Sequence, residues 1–201
     1  MKAIRTIRKP IRTAIAVLAV AAVPAGAVAI PAIAGGTATA STTAASTATS
    51  CSTKWGSLPK ASSPLGRGTL TGIRTGRHAC FDRIVFDVSG KQSGSHVRYV
   101  SNVYQDGSGF RVPLRGGAKL EIIAHVPDYN DAGRSTYRPA NRKELTNVAG
   151  YRTFRQVAYA GSFEGQTTIG LGVRARLPFR VFTVAGPGSG SRIVVDVAHT
   201  W

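Results

Sequence analysis

Arg83-Ile84-Val85-Phe86-Asp87-Val88 alternates so that Ile84, Phe86 and Val88 fall on one face of an extended chain, with Val85 and Asp87 on the other. A period of two, carried by β-branched and aromatic residues, marks a half-buried strand. Working outward, the same signal recurs in residues 69–75, 81–88, 96–104, 110–114, 119–125, 153–160, 167–174, 179–184 and 192–199. Gly, Ser, Asn and Asp separate these runs, and the totals of 23 Gly and 10 Pro favour turns over long helices. About nine strands predict an all-β chain, an antiparallel β-sandwich.

The last strand, Arg192-Ile193-Val194-Val195-Asp196-Val197, echoes the first quotation with Val195 in place of Phe86. Two related half-sandwiches or coincidence account for it equally well. Asp87 and Asp196 read as arginine partners or turn residues at strand ends rather than catalytic acids. The glycine clusters at 107–109, 116–117 and 186–190 read as hairpin-type turns.

Upstream of the strands, Lys2, Arg5, Arg8, Lys9 and Arg12 precede an uncharged run, residues 14–34, that ends in Ala32-Ile33-Ala34. Residues 1–34 read as a secretory signal peptide, with a retained membrane anchor as the alternative. Residues 37–50 are all Ala, Ser or Thr, so 35–50 is expected to be a linker and 51–201 the folded domain. The whole chain has a formal charge of +17. Removing residues 1–34 takes five basic groups and no acidic one, which leaves about +12. A secreted protein of that charge meets anionic envelope polymers before nucleic acid, and no nucleic-acid role is expected. In an oxidising compartment Cys51 and Cys80 are expected to form a disulfide.

Catalytic patterns are weak. His78, His96, His125 and His199 are scattered in the sequence with no two at ligand spacing, and each reads as an exposed or strand-end histidine. Neither a nucleophile elbow nor a phosphate-cradling glycine loop occurs. Asp128-Tyr129-Asn130-Asp131-Ala132-Gly133 opens like a calcium loop, but Ala132 and Pro139 occupy ligand positions. A turn built on Asn and Asp side chains explains the same residues. Neither a metal nor a cofactor is expected.

The most informative irregular stretch is 127–150, long for a connection inside one domain. It interleaves Tyr129 and Tyr137 with Arg134, Arg138, Arg142 and Lys143. Rings that stack on sugars beside guanidinium groups that pair with carboxylate or phosphate suit an envelope-glycan site. The plain alternative is a solvated loop with a short helix over 141–147.

The ordered set Asp82-Arg83-Ile84-Val85-Phe86-Asp87, Phe163-Glu164-Gly165, Gly170-Leu171-Gly172-Val173, Phe179-Arg180-Val181-Phe182 and Arg192-Ile193-Val194-Val195-Asp196-Val197 resembles the AMIN-like domain of actinobacterial exported proteins and lipoproteins. The resemblance spans residues 66–201. That group is similar to the AMIN domain, a β-sandwich that targets cell-wall amidases to the envelope and has no catalysis of its own. It implies an exported, non-catalytic module that binds peptidoglycan or another anionic wall polymer. Glu164, the acid of its motif, is a candidate ligand contact or a strand-ordering residue. A secreted hydrolase with an unrecognised carboxylate pair and a purely structural secreted domain are the alternatives. No lipoprotein cleavage box and no attached amidase domain accompany the motifs.

Overall fold

β3 (Phe81–Val88) and β11 (Ser191–Ala198), the two strands that echo each other, lie side by side and antiparallel in the computed structural model. The structure describes residues 51, 53–62, 68–91 and 94–201, so the expected signal peptide (1–34) and linker (35–50) lie outside the described residues. With β10 (Phe179–Ala185) and β2 (Leu70–Arg77) the pair completes a four-stranded sheet in the order β10-β11-β3-β2. The two echo strands are thus direct neighbours in one sheet.

The second layer holds β1 (Lys60–Ser62), β4 (Ser95–Val100), β7 (Ala118–Ala124), β9 (Gln166–Val173) and β8 (Phe154–Phe163), in the order β1-β4-β7-β9-β8. All pairings are antiparallel. Alternation dictates the core: Ile84, Phe86 and Val88 face Leu120, Ile122, Ile169 and Leu171 of the other sheet, all buried and in one cluster. At about 25 cal/mol per Å² of apolar area, this two-layer burial supplies most of the folding drive.

Eleven strands are present among the described residues, against about nine expected. β1 was missed because Lys60-Ala61-Ser62 has no apolar alternation, and its pairing with β4 alone makes it a strand. The run over 96–104 divides at Ser101-Asn102 into β4 and a two-residue β5 (Val103–Tyr104). β5 pairs with β6 (Arg111–Val112) as a separate ribbon, turned by residues 107–109. A small second core, Val103, Val112, Ala158 and Ala160, seats this ribbon on the outer face of the five-stranded sheet.

The pair Cys51–Cys80 is a disulfide, Cα to Cα 5.1 Å, which ties the N-terminal arm to the residue before β3. Such a bond fits an oxidising, extracytoplasmic compartment.

Candidate functional site

The strand β8 stands at the edge of its sheet, and its outward backbone groups need partners. The long loop supplies them: Leu145 N–H donates to Val157 O and Tyr159 N–H to Arg142 O, both at 2.8 Å. The helix offered as an alternative over 141–147 does not form. Its residues spend their backbone groups on the edge strand, and the Asn141 side chain caps the turn by accepting from Lys143 N–H at 2.9 Å.

On the other side of the same sheet face, the segment after β6 must cross β9. Residues Gly170 and Gly172 permit it, since a Cβ on Gly172 would stand 1.9 Å from Arg115 O and one on Gly170 would stand 2.7 Å from Leu114 Cδ1. Gly116-Gly117, expected as a hairpin turn, belongs to this crossing: Cβ atoms there would meet the Val173 and Arg174 carbonyls at 2.4 Å. The Gly-x-Gly of β9 is therefore a groove for backbone rather than a turn or ligand motif.

Between the ribbon, the crossing segment and the loop lies a cleft of about 660 Å³. Val112, Pro113, Leu114 and Ala158 provide apolar walls, and Gln105, Gln156 and Tyr159 provide polar ones. Arg111, Arg115, Arg142 and Lys143 supply the charge, and no acid lines it. The guanidinium of Arg115 is engaged by Glu144 through both carboxylate oxygens and by Arg155 O. The guanidinium of Arg142 lies over the Tyr159 ring at 5.1 Å. Arg111, Arg142 and Lys143 have no ion-pair partner among the described residues, so the cleft carries three uncompensated cations. The phenol of Tyr159 donates to Asp128 Oδ2 at 2.7 Å, and burial, aided by that carboxylate, pushes its ionisation well above the ordinary tyrosine range.

Of the loop residues singled out in the sequence, only Arg142 and Lys143 line this cleft. Tyr137 packs half-buried against the main core, and burial raises its ionisation. Arg134 closes a tight turn in which Asn130 Oδ1 accepts from Ala132 and Arg134 N–H, the turn the sequence suggested in place of a calcium loop. Arg138 is exposed. The phenolic oxygen of Tyr129 accepts from Gly165 N–H at 3.3 Å, which brings Tyr129 to the Glu164 turn but not to the cleft. Glu164 and Gly165 have φ of 48° and 78°, a two-residue hairpin turn between β8 and β9.

Sequence reasoning missed Arg111, because a two-residue strand gives no periodic signal, and it missed the buried pair Asp82–His199. Asp82 accepts from Thr153 N–H at 2.6 Å and Phe154 N–H at 3.1 Å, with His199 Nε2 at 3.1 Å. His199 is thus strand-end but buried. Pairing of β4 with β7 also brings His96 near His125, whose ionisation is lowered by burial first and by His96 second. Among the described residues no three His, Cys, Asp or Glu side chains gather as a metal site.

The AMIN-like domain family matches residues 68–199, nearly all of the described sandwich. The chain belongs to the AMIN-like domain family. Neither a curated protein nor a solved structure matches it. Membership points to an envelope-associated binding module, and the family's motifs now have places in this AMIN-like domain. The aspartates and arginines of β3 and β11 pair with each other, the Gly-x-Gly of β9 admits the crossing segment, and Phe163-Glu164-Gly165 turns a hairpin.

Proposed function

We propose that this AMIN-like domain is a secreted, non-catalytic module that holds its chain to an anionic polymer of the cell wall, peptidoglycan foremost. One observation carries the reading: three unpaired cations, Arg111, Arg142 and Lys143, surround a cleft that no acid lines. A concave, largely apolar site with a few convergent polar groups is the ordinary form of a ligand pocket. Guanidinium groups without a protein carboxylate partner are free to take carboxylate or phosphate in a bidentate manner. The loop arginines Arg134 and Arg138 extend the positive field beyond the cleft, while Tyr129, Tyr137 and Glu164 serve the loop and the β8–β9 hairpin away from it. The disulfide supports an extracytoplasmic setting. Against the hydrolase alternative stands the lining itself, which includes no acid, and of the carboxylates bonded to lining residues Glu144 is engaged by Arg115 and Asp128 by the Tyr159 hydroxyl.

The test is retention of the protein on purified wall sacculi as salt is raised. The triple change Arg111→Gln, Arg142→Gln, Lys143→Gln should weaken salt-sensitive retention markedly and leave the fold intact. A triple variant retained like the parent at about 0.15 M salt, where the Debye length is about 8 Å, removes the cleft from the reading.

A further inference from the structure

The outer face of the four-stranded sheet gives the echo a physical meaning. Because β3 and β11 run antiparallel, Arg83 stands opposite Asp196 and Arg192 opposite Asp87. Each flanking strand adds one more arginine: Arg180 of β10 reaches Asp196 at 2.8 Å, and Arg74 of β2 reaches Asp87 at 2.8 Å. Each aspartate therefore sits between two arginines, and each triad has one positive charge in excess. The triads are related by an approximate two-fold axis between β3 and β11. The relation is not complete, since Arg180 pairs directly with Asp196 whereas a bulge sets Gly72 opposite Asp87 and Arg74 reaches in from two residues on. Four residues of strand separate the two along β3, a span of about 13 Å.

The aspartates hold the arginines in fixed orientations without using them up. Asp196, its side chain fully buried, accepts from Arg83 Nε at 2.6 Å and Nη2 at 2.9 Å and from Arg180 Nε at 2.8 Å. Arg180 and Arg192 use only Nε on their carboxylates, and their side chains remain 41% and 32% exposed. Around the first triad stand three rings: the Arg180 guanidinium lies 4.4 Å from the Trp55 centroid, 5.2 Å from Phe182 and 5.4 Å from Phe81.

We propose that this face is a second binding site, for an acidic glycan strand whose carboxylates meet the terminal nitrogens of Arg180 and Arg192 and whose sugar rings stack on Trp55 and Phe182. A free Nη pair matches a carboxylate in a bidentate manner. Arginines already oriented by aspartate lose little side-chain freedom on binding. Two like sites at this separation suit a repeating polymer better than a single small anion, because the second contact is made at high effective concentration. The aromatic ring around Arg180 favours sugars over a bare phosphate chain, whose units have no apolar face. The site shares no residue with the cleft and lies on the other sheet, so the two stand or fall separately.

Oligogalacturonates, a dimer and an octamer, titrated into the full-length chain test it by NMR. The Nε–Hε signals of Arg180 and Arg192 and the Trp55 indole N–H should shift together and saturably with the octamer, with a dissociation constant at least about tenfold below that for the dimer. A neutral glucan octamer should move none of them. The variant Arg180→Gln with Arg192→Gln should weaken octamer binding about tenfold or more, while Arg142→Gln leaves these shifts in place. The proposal is overturned if the octamer leaves the three signals still while those of Arg111 and Arg142 move, or if the double variant binds like the parent. It is equally overturned if anionic phosphatidylglycerol vesicles, and not the octamer, move the three signals. Should the double variant fail to fold, the shifts in the parent protein decide.

Discussion

The two outer faces of the sandwich handle positive charge in opposite ways. On the four-stranded sheet every arginine of the two triads leans on an aspartate, and the surface is a pre-ordered array. On the five-stranded sheet a ribbon, a crossing segment and a loop build a concavity, and its cations Arg111, Arg142 and Lys143 have no such support. The first face trades part of its charge for fixed geometry, while the second keeps three cations without an ion-pair partner beside the paired Arg115. Strand sequence suffices for the triad face; the cleft depends on glycine and on backbone pairing outside the strands.

The hardest way to break that contrast is to fill the groove in β9. Gly172→Val places atoms against the Arg115 carbonyl, where even a Cβ would lie 1.9 Å away. We expect a loss of about 3 kcal/mol or more in denaturant unfolding, beyond ordinary overpacking because backbone must move. Wall retention through the cleft should fail in whatever fraction still folds.

Next in size is Cys80→Ser, which frees the arm that carries Trp55. The chain-entropy estimate for a loop of this length is about 3 to 4 kcal/mol. Chemical denaturation should show that loss, and Trp55 fluorescence should report a looser ring beside Arg180 while cleft binding persists. Unchanged stability in this variant would argue that the arm is held by β1 and the Arg176–Ser57 contacts alone.

A smaller effect, of opposite sign, is expected at Asp106 beneath the ribbon. Burial pushes its carboxyl up from the ordinary 3.8, with Glu121 adding to the rise and a Thr168 hydrogen bond opposing it. One of its oxygens, Oδ2, is buried without a partner. An aspartate raised in the folded state binds its proton more tightly there, so stability falls as pH climbs from the unfolded value through the folded one and stays lower above it. Asp106→Asn should therefore raise the neutral-pH melting temperature by the equivalent of less than about 1 kcal/mol and flatten that acid-side fall. A variant less stable than the parent at pH 7 would show that the charge itself holds the ribbon.

The smallest effect on folding should come from Arg142→Gln, since exposed cations contribute about 0 to 1 kcal/mol. Its binding effect should be the larger one, seen as a shallower salt dependence of sacculus retention. If stability drops instead, the stacking on Tyr159 is structural and Arg142 leaves the candidate site.

What the sequence could reveal follows the same divide. Strands β3, β7, β9 and β11 were legible because runs rich in β-branched and apolar residues send every second side chain into the core, and Asp87 and Asp196 were legible as arginine partners. Arg111 and the Gly170-Leu171-Gly172 groove were not, because a two-residue strand has no period and a glycine gives no sign of what passes over it. The loop over 127–150 was recognised as unusual, yet its aromatic residues were taken for ligand contacts when Tyr137 is packed on the core. Sequence separates aromatic from polar but does not say which ring a neighbouring strand will cover.

The disulfide also decides how this fold would bear load. Tension entering the chain ahead of Cys51 passes through the sulfur–sulfur bond to Cys80 and so to β3, a central strand hydrogen-bonded on both sides. Residues 52–79, with the three-residue β1 and the edge strand β2, lie inside the closed covalent loop and are bypassed. The weakest pairing in the sandwich is thereby shielded from peeling. Because Ala198 pairs with Phe81 and His199 N–H donates to Cys80 O, the two loaded ends lie side by side, so a pull between them unzips β11 from β3 starting at that end, one hydrogen bond after another, and the resistance rests on the first few pairs of an eight-residue register.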